Sequence, residues 1–362
     1  MISSIVSELK ANNQSLIKNY LHQHIRDPSS ILHPNIYEKH FPNDAYYEGE
    51  FNQSDERHGR GIFKYKNGDI YIGDWKDDKF HGKGYYLFLN GERYEGYLEN
   101  GFKCGQGKYF YSNGNIHYGQ WSKDKKEGEG VLIYRITNEK FEGEFKGGEK
   151  NGLGVWTYAN GVIYQGGFVG GRKSGVGRIE YPGGGVLECG FVEDRAEGKG
   201  CFEFGNGDRF EGGFEEGERA GVGLYRFRDG VLYNGGYEGG LKSGQGAVLY
   251  GNGDQFEGLF KEGKKNGFGV YVWKAEGAKY AGEWLNDLRH GEGDFINQEM
   301  GERYKGHWMY GAKSGSGIIG YKNGDRFEGE FKYGLRDGEG VYTWADGEIL
   351  EGVWVEDKFC ED

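Results

Sequence analysis

Proline, cysteine and net positive charge are scarce in this sequence, and long apolar runs are missing altogether. Only 4 prolines occur in 362 residues, which excludes a proline-rich linker architecture. The 4 cysteines, Cys104, Cys189, Cys201 and Cys360, form no CxxC pair, which argues against a structural zinc site and suits a reducing compartment. A formal charge of −12 gives no overall attraction to nucleic acid or to anionic membrane surfaces. No window approaches about 18 apolar residues, and the opening MISSIVSELKANNQ lacks the basic start, apolar centre and cleavage site of a secretory signal. A soluble, cytoplasmic protein is expected. No Ser, Cys or Lys sits in a nucleophile setting, so no catalytic residue, cofactor or metal is expected.

Glycine is abundant instead, with 71 residues, and 16% of the chain is Phe, Trp or Tyr. The glycines do not recur every third residue, so collagen is excluded, and so many rings exclude a disordered linker. An aromatic-x-Gly-x-aromatic core recurs at intervals of 23 or 24 residues, from YEGEF at Tyr47 and YIGDW at Tyr71 to YAGEW at Tyr280, YKGHW at Tyr304 and LEGVW at Leu350. Each copy but the last is followed by a Gly-x-Gly tetrad, such as HGRG at His58, HGKG at His81 and DGEG at Asp337. Asn-Gly or Asp-Gly dipeptides precede most of the next cores, as at Asn67, Asn90 and Asp346, and these are strong hairpin signals. The unit reads as a β-hairpin followed by a loop.

Parity decides how the hairpin closes. Gly59, Gly61, Phe63 and Tyr65 share one face of the first strand, and Tyr71, Gly73 and Trp75 share one face of the second. A three-residue loop with Gly68 left-handed pairs Phe63 with Tyr71 and puts both sets on the same face. That face then collects every tryptophan, while Lys64, Lys66, Asp74, Lys76, Glu203, Arg209 and Glu211 fall on a wet opposite face. Gly73, between Tyr71 and Trp75, leaves room for a ring from the adjoining strand to lie across the backbone, so valine there should clash. About 28 strands spaced roughly 4.8 Å apart predict an elongated, single-layer, twisted antiparallel sheet on the order of 130 Å long. Its stability is expected to be a sum over neighbouring repeats.

The pattern resembles the MORN repeat (membrane occupation and recognition nexus) over residues 47–354, in about fourteen units. LECGF at Leu187 departs furthest, with Cys189 at the glycine position, and a local distortion or bend is expected there. The first repeat, YEGEFNQSDERHGRG, is similar to the opening repeat of radial spoke head proteins of motile cilia. These resemblances imply a non-enzymatic scaffold of the cytoskeleton or ciliary axoneme. The other reading they allow is a membrane-associated module recognising anionic phospholipid, which the net charge disfavours.

The flanks differ in kind. Residues 1–27 show helical spacing and predict a short amphipathic helix, residues 28–46 read as an irregular connector, and residues 355–362 as a tail. The helix either caps the sheet or meets another chain. Recurrence of the tetrads within strands argues against nucleotide loops, and His58, His81 and His290 have no second metal ligand nearby. The structural glycines expected are Gly59, Gly61, Gly73, Gly82, Gly84, Gly282 and Gly306. A one-sided sheet of this length leaves a long apolar trough, lined by Tyr71, Trp75, Trp121, Trp156, Trp273, Tyr280, Trp284, Tyr304, Trp308, Trp344 and Trp354. Helical or extended segments of protein partners are expected to fill it. The outer edge at Leu350 to Trp354 is expected to lack a partner strand, which invites a homodimer.

Overall fold

The computed structural model describes residues 36–360. Among them are twenty-nine strands and no helix. The expected N-terminal helix over 1–27 lies outside the described residues, so the fold class is corrected to all-β for everything that is described. The chain divides after Pro182 into two compact units. In the first, β1 (Ile36–His40), β2 (Tyr46–Phe51), β3 (Arg57–Lys64), β4 (Ile70–Lys76) and β5 (Lys79–Leu87) begin a run that ends with Arg172–Glu180. The second unit runs from Val186–Val192 to Lys358–Phe359. Within each unit every strand is antiparallel to its neighbour in sequence.

Two kinds of turn alternate. In the loop between β3 and β4, Tyr65 N–H donates to Asp69 O at 2.9 Å and Gly68 N–H to Tyr65 O at 2.9 Å. Gly68 has φ 91°, and Phe63 faces Tyr71. This is the three-residue loop that parity demanded. The second connection, expected as a plain loop, is itself a two-residue hairpin turn: Asp77 and Asp78 stand at φ 47° and 61°. Positive φ at both positions matches the twist of the flanking strands, and the short polar side chains of Asp and Asn make that conformation tolerable without glycine.

A bulge follows each tight turn. Register shifts between Gly73 and Asp74, where Gly82, at φ 61°, and Lys83 are two extra residues on β5. The Asp74 carboxylate accepts the N–H of Lys83 at 3.0 Å. Glu50 serves Arg60 identically, at 3.0 Å, beside Gly59 at φ 63°. The first glycine of each tetrad is thus a backbone requirement.

Three expectations about the flanks and the odd repeat change. The connector 28–46 contains β1, which pairs with β2 from Ile36–Glu50 to His40–Tyr46. Its turn repeats the three-residue loop, with Phe41 N–H to Ala45 O at 3.0 Å and Asp44 at φ 59° standing where other units carry glycine. At the other end, Lys358–Phe359 pairs with Ile349–Val355, Trp354 facing Phe359, and Cys360 N–H reaches Val353 O at 2.9 Å. The outer edge is therefore covered beyond Gly352, and the tail adds a strand. Cys189 sits buried in a regular strand, opposite Gly200, with the register shift the other units show. The boundary between the two units falls a few residues earlier, at Pro182–Gly183.

Candidate functional site

The candidate site grows out of a row of glycines. Gly49, Gly61, Gly73, Gly84, Gly96 and Gly107 face one another strand by strand across the first unit. In the second unit Gly282, Gly293, Gly306 and Gly317 do the same. A Cβ on Gly73 would lie 2.5 Å from Tyr71 Oη and 2.6 Å from the Cα of Gly84. On Gly84 it would lie 2.6 Å from Tyr71 Cε2. One ring, Tyr71, therefore covers both glycines, its own strand's and the next strand's, whereas the sequence suggested a ring from the adjoining strand alone. Its hydroxyl donates to Asp74 O at 2.8 Å, and Tyr47, Tyr94, Tyr164, Tyr233, Tyr280 and Tyr304 donate to the matching carbonyl three residues on, at 2.9 to 3.0 Å.

These rings interlock edge to face. Tyr280 meets Trp284 at 5.3 Å and Trp308 at 5.3 Å; Tyr304 meets Trp308 at 5.2 Å and Phe331 at 5.0 Å. Phe327 continues to Phe331 and Trp354 at 5.4 and 5.3 Å. In the first unit Tyr71 meets Trp75 at 5.2 Å, and Tyr94 meets Trp121 at 5.6 Å. Each such contact adds about 0.5–1.5 kcal/mol beyond area burial.

This closure alters the trough. Tyr71, Tyr280 and Tyr304 are fully buried, and Trp75, Trp121, Trp284, Trp308 and Trp354 nearly so. Only Trp156, Trp273 and Trp344 among the expected lining residues keep accessible surface, Trp344 being 37% exposed. The buried rings are the core of the repeats, because a Gly backbone lets them lie flat and seal each other. The accessible floor comes from a second set at the strand ends, including Tyr65, Phe88, Tyr111, Phe227 and Tyr321. The opposite face is not uniformly wet either: Leu153, Val176, Val222 and Phe268 are exposed on it.

A feature unread in the sequence completes the face. The residue before each tetrad is usually a cation: Arg57, Lys103, Lys126, Lys150, Lys173, Arg219, Lys242, Lys265, Arg289, Lys313 or Arg336. Alternation along the strand points it toward the rings. Arg57 lies 4.3 Å from the Trp75 ring, Lys265 4.6 Å from Trp284, Arg289 4.1 Å from Trp308 and Arg336 4.1 Å from Trp354. The aliphatic stems cover rings while the charges stand half-buried. Burial pulls Lys126, Lys242, Lys265 and Arg289 below their ordinary pKa values. The periodic Lys or Arg just before the tetrad is the sequence signal for this row, and its charge masks the burial of its stem.

The expected histidine and turn sites resolve into structural roles. His58 Nδ1 lies 3.4 Å from Asp77 Oδ1. In the Asn-Gly-Asp turns, Asp208 accepts the N–H of Arg228 and the hydroxyl of Tyr225, both at 2.8 Å, and so ties one loop to the next. Among the described residues no cluster of His, Cys, Asp and Glu could hold a metal ion.

The repeat model for MORN matches thirteen segments, from residues 47–70 to 327–349, well over half of the chain. The chain belongs to the MORN-repeat family. The fourteenth copy, at Leu350, lies outside the matched segments, and the match around Cys189 begins only at Gly190. No curated protein matches the sequence. Among solved structures, the TCP10 domain of Danio rerio CPAP in complex with a peptide of Danio rerio STIL is 14% identical. It covers 61% of this MORN chain and 92% of its own, with a TM-score of 0.35. The SAS-4 (dCPAP) TCP domain of Drosophila melanogaster, in complex with a proline-rich motif of Ana2, is 16% identical over 43% of this chain and 85% of its own, with a TM-score of 0.28. Similarity of that size carries no argument about what this chain binds.

Proposed function

We propose that this MORN array is a non-enzymatic scaffold that holds segments of partner proteins against its ring face. One observation carries the reading: most repeats present accessible rings beside a half-buried cation, so the same recognition surface recurs along each half of the chain. Trp156, Trp273 and Trp344 supply apolar contact, and Arg219, Lys242, Lys265 and Arg289 supply donors. Family membership supports a protein-interaction or membrane-associated role. A setting in the cytoskeleton or ciliary axoneme, within the cytoplasm, rests on the first repeat's likeness to radial spoke head proteins.

Because Trp284 and Trp308 are core rings, replacing them would damage the repeats and report on folding. The informative pair is Trp273→Ala with Trp344→Ala. Loss of partner capture in cells by a chain that still folds supports the ring face, and undiminished capture refutes it. Detergent extraction of the tagged chain tests the setting: retention in the insoluble skeleton or axoneme is expected.

The line of cations favours a second reading, anionic lipid headgroups, against the net charge of −12. Salt-sensitive sedimentation with phosphatidylserine vesicles would support it, and no binding at low salt would end it. Homodimerisation through the C-terminal edge has room only at residues 349–352.

A further inference from the structure

The tight turns report what each cation of the ring face lacks. The second turn residue donates its N–H to the carbonyl of the cation-bearing residue two strands earlier: Asp78 to Arg57 at 3.0 Å, Asp357 to Arg336 at 3.0 Å, Gly240 to Arg219 at 3.0 Å and Gly263 to Lys242 at 2.9 Å. Aspartate there satisfies the cation side chain at Arg57, Lys103 and Arg336, whereas Asp287 bonds the backbone N–H of Lys265 at 2.9 Å. Asp78 Oδ1 accepts from the backbone N–H and Nε of Arg57 at 3.0 and 2.7 Å. Asp357 Oδ1 does so for Arg336 at 2.9 and 3.1 Å. Asp124 repeats this for Lys103, at 2.9 Å to the backbone N–H and 3.4 Å to the ammonium.

That residue is glycine at several units, Gly148, Gly171, Gly311 and Gly334 among them, and at the two successive units of Gly240 and Gly263 a recess accompanies it. Arg219 is left with the carbonyl of Gly240 at 2.7 Å and the rings of Phe210, Tyr225 and Tyr237. Lys242 is left with the rings of Phe227, Tyr233 and Phe260. Among the described residues no carboxylate forms an ion pair with either. A recess of about 260 Å³ opens between them, lined also by Tyr225, Phe227, Tyr237 and the two turn glycines. Burial lowers the Lys242 pKa, Asp287 opposes that shift in part, and the neighbouring Arg219 adds a smaller lowering.

We propose that this recess binds two carboxylates of an extended acidic segment of a partner protein, each filling the place that Asp78 and Asp357 fill in their own units. The proposal rests on the ring-face reading and gives it a ligand chemistry. Arg219 and Lys242 begin alternate strands, so they stand about 9.6 Å apart, two interstrand steps. A chain in the extended polyproline II form turns once in three residues and rises about 3.1 Å per residue, so acids at positions i and i+3 share one face about 9.3 Å apart and reach both cations, while adjacent acids do not. The rings of Tyr225 and Phe227 meet the residues between. A flat lipid surface is disfavoured, because the tips around the recess carry the exposed acids Glu215, Glu216, Glu238 and Glu262, which it would meet first. Glu218, next to Arg219, brings its carboxylate within 3.8 Å of where a Cβ on Gly240 would lie, which does not preclude a second carboxylate, since Glu56 precedes Arg57 in the unit where Asp78 is present.

The array's own solution supplies the test. Gly240→Asp places a tethered carboxylate in the site; φ at Gly240 is 75° and Asp194 already tolerates 73°. Gly240→Asn is its neutral match. Fluorescein-labelled peptides of alanine and proline are titrated against the full chain by anisotropy, one with two glutamates three positions apart and one with the two adjacent. The spaced peptide is expected to bind the wild type about tenfold tighter than the adjacent one, Gly240→Asp to weaken it about tenfold, and Gly240→Asn to leave it unchanged. Equal affinity for the two peptides, no binding of either, or no effect of Gly240→Asp overturns the proposal, as does binding of phosphatidylserine vesicles that Gly240→Asp abolishes while neither peptide binds. If Trp273→Ala with Trp344→Ala abolishes partner capture and Gly240→Asp does not, the ring face stands and the recess falls. If the tryptophan pair has no effect, the ring-face reading itself fails.

Discussion

Replacing Gly84 by alanine puts a methyl carbon 2.5 Å from Tyr71 Oη, 2.6 Å from its Cε2 and 2.8 Å from its Cζ. Alanine in a strand ordinarily gains about 0.5–1 kcal/mol over glycine, so any loss must come from the ring. Tyr71 has nowhere to go: it is fully buried, its hydroxyl is bonded to Asp74 O at 2.8 Å, and Phe80 lies 3.9 Å away. Displacing it forfeits one hydrogen bond, about 1 kcal/mol, and its edge-to-face contacts, about 0.5–1.5 kcal/mol each. The ceiling is the cost of deleting a core ring, about 3–5 kcal/mol. Gly84→Ala should therefore destabilise by about 2–5 kcal/mol. Gly320→Ala, at a position with nothing within 4 Å and no positive φ, should be neutral or slightly stabilising. Urea unfolding with amide hydrogen exchange is the assay, since an array can open locally and the loss should concentrate in strands β4 and β5 and the strand after them. Combining Gly84→Ala with Tyr71→Ala removes the clash, so the double variant should cost less than the sum of the singles. A neutral Gly84→Ala, or an additive cycle, would refute the argument.

Other predictions concern charge and turns. His117 takes the place of the ring tyrosine, is fully buried against Trp121 and Phe145, and burial lowers its pKa to about 4, with Lys126 adding to the effect. Stability from this position is complete above pH 6.5 and declines as pH falls toward about 4, by about 3 kcal/mol in all; His117→Phe should remove that slope from stability measured across the window. Tyr333, 85% exposed, holds φ 52° in a tight turn, so Tyr333→Gly should raise the unfolding midpoint by the equivalent of about 1 kcal/mol. Asp357→Asn should lower stability by about 1 kcal/mol by weakening its bonds to Arg336, with the loss reduced in high salt.

The hairpin register was legible because parity, Asn-Gly and the Gly-x-Gly spacing all agree, and Phe63 faces Tyr71 as they require. Burial of the individual rings was not legible. Parity put Trp284 and Trp344 on one face without ranking them: Trp284, the last ring of its core motif, is sealed by Tyr280 and Phe256, whereas Trp344, just before the Asp-Gly turn, is 37% exposed. β1 was missed because Asn43-Asp44 is a weaker turn signal than Asn-Gly, although Asp44 adopts the same positive φ. The cations were missed because their stems bury while their charges do not, and hydropathy scores only the charge.

The central claim is that the ring face, rather than the opposite face, meets the partner. A photo-crosslinking benzophenone side chain placed at Trp344 on the ring face, or at Lys305 on the other, tests it in the cell of origin, with crosslinked peptides identified by mass spectrometry. The account predicts crosslinks to partner segments from residue 344 and none from residue 305. The reverse pattern would contradict it.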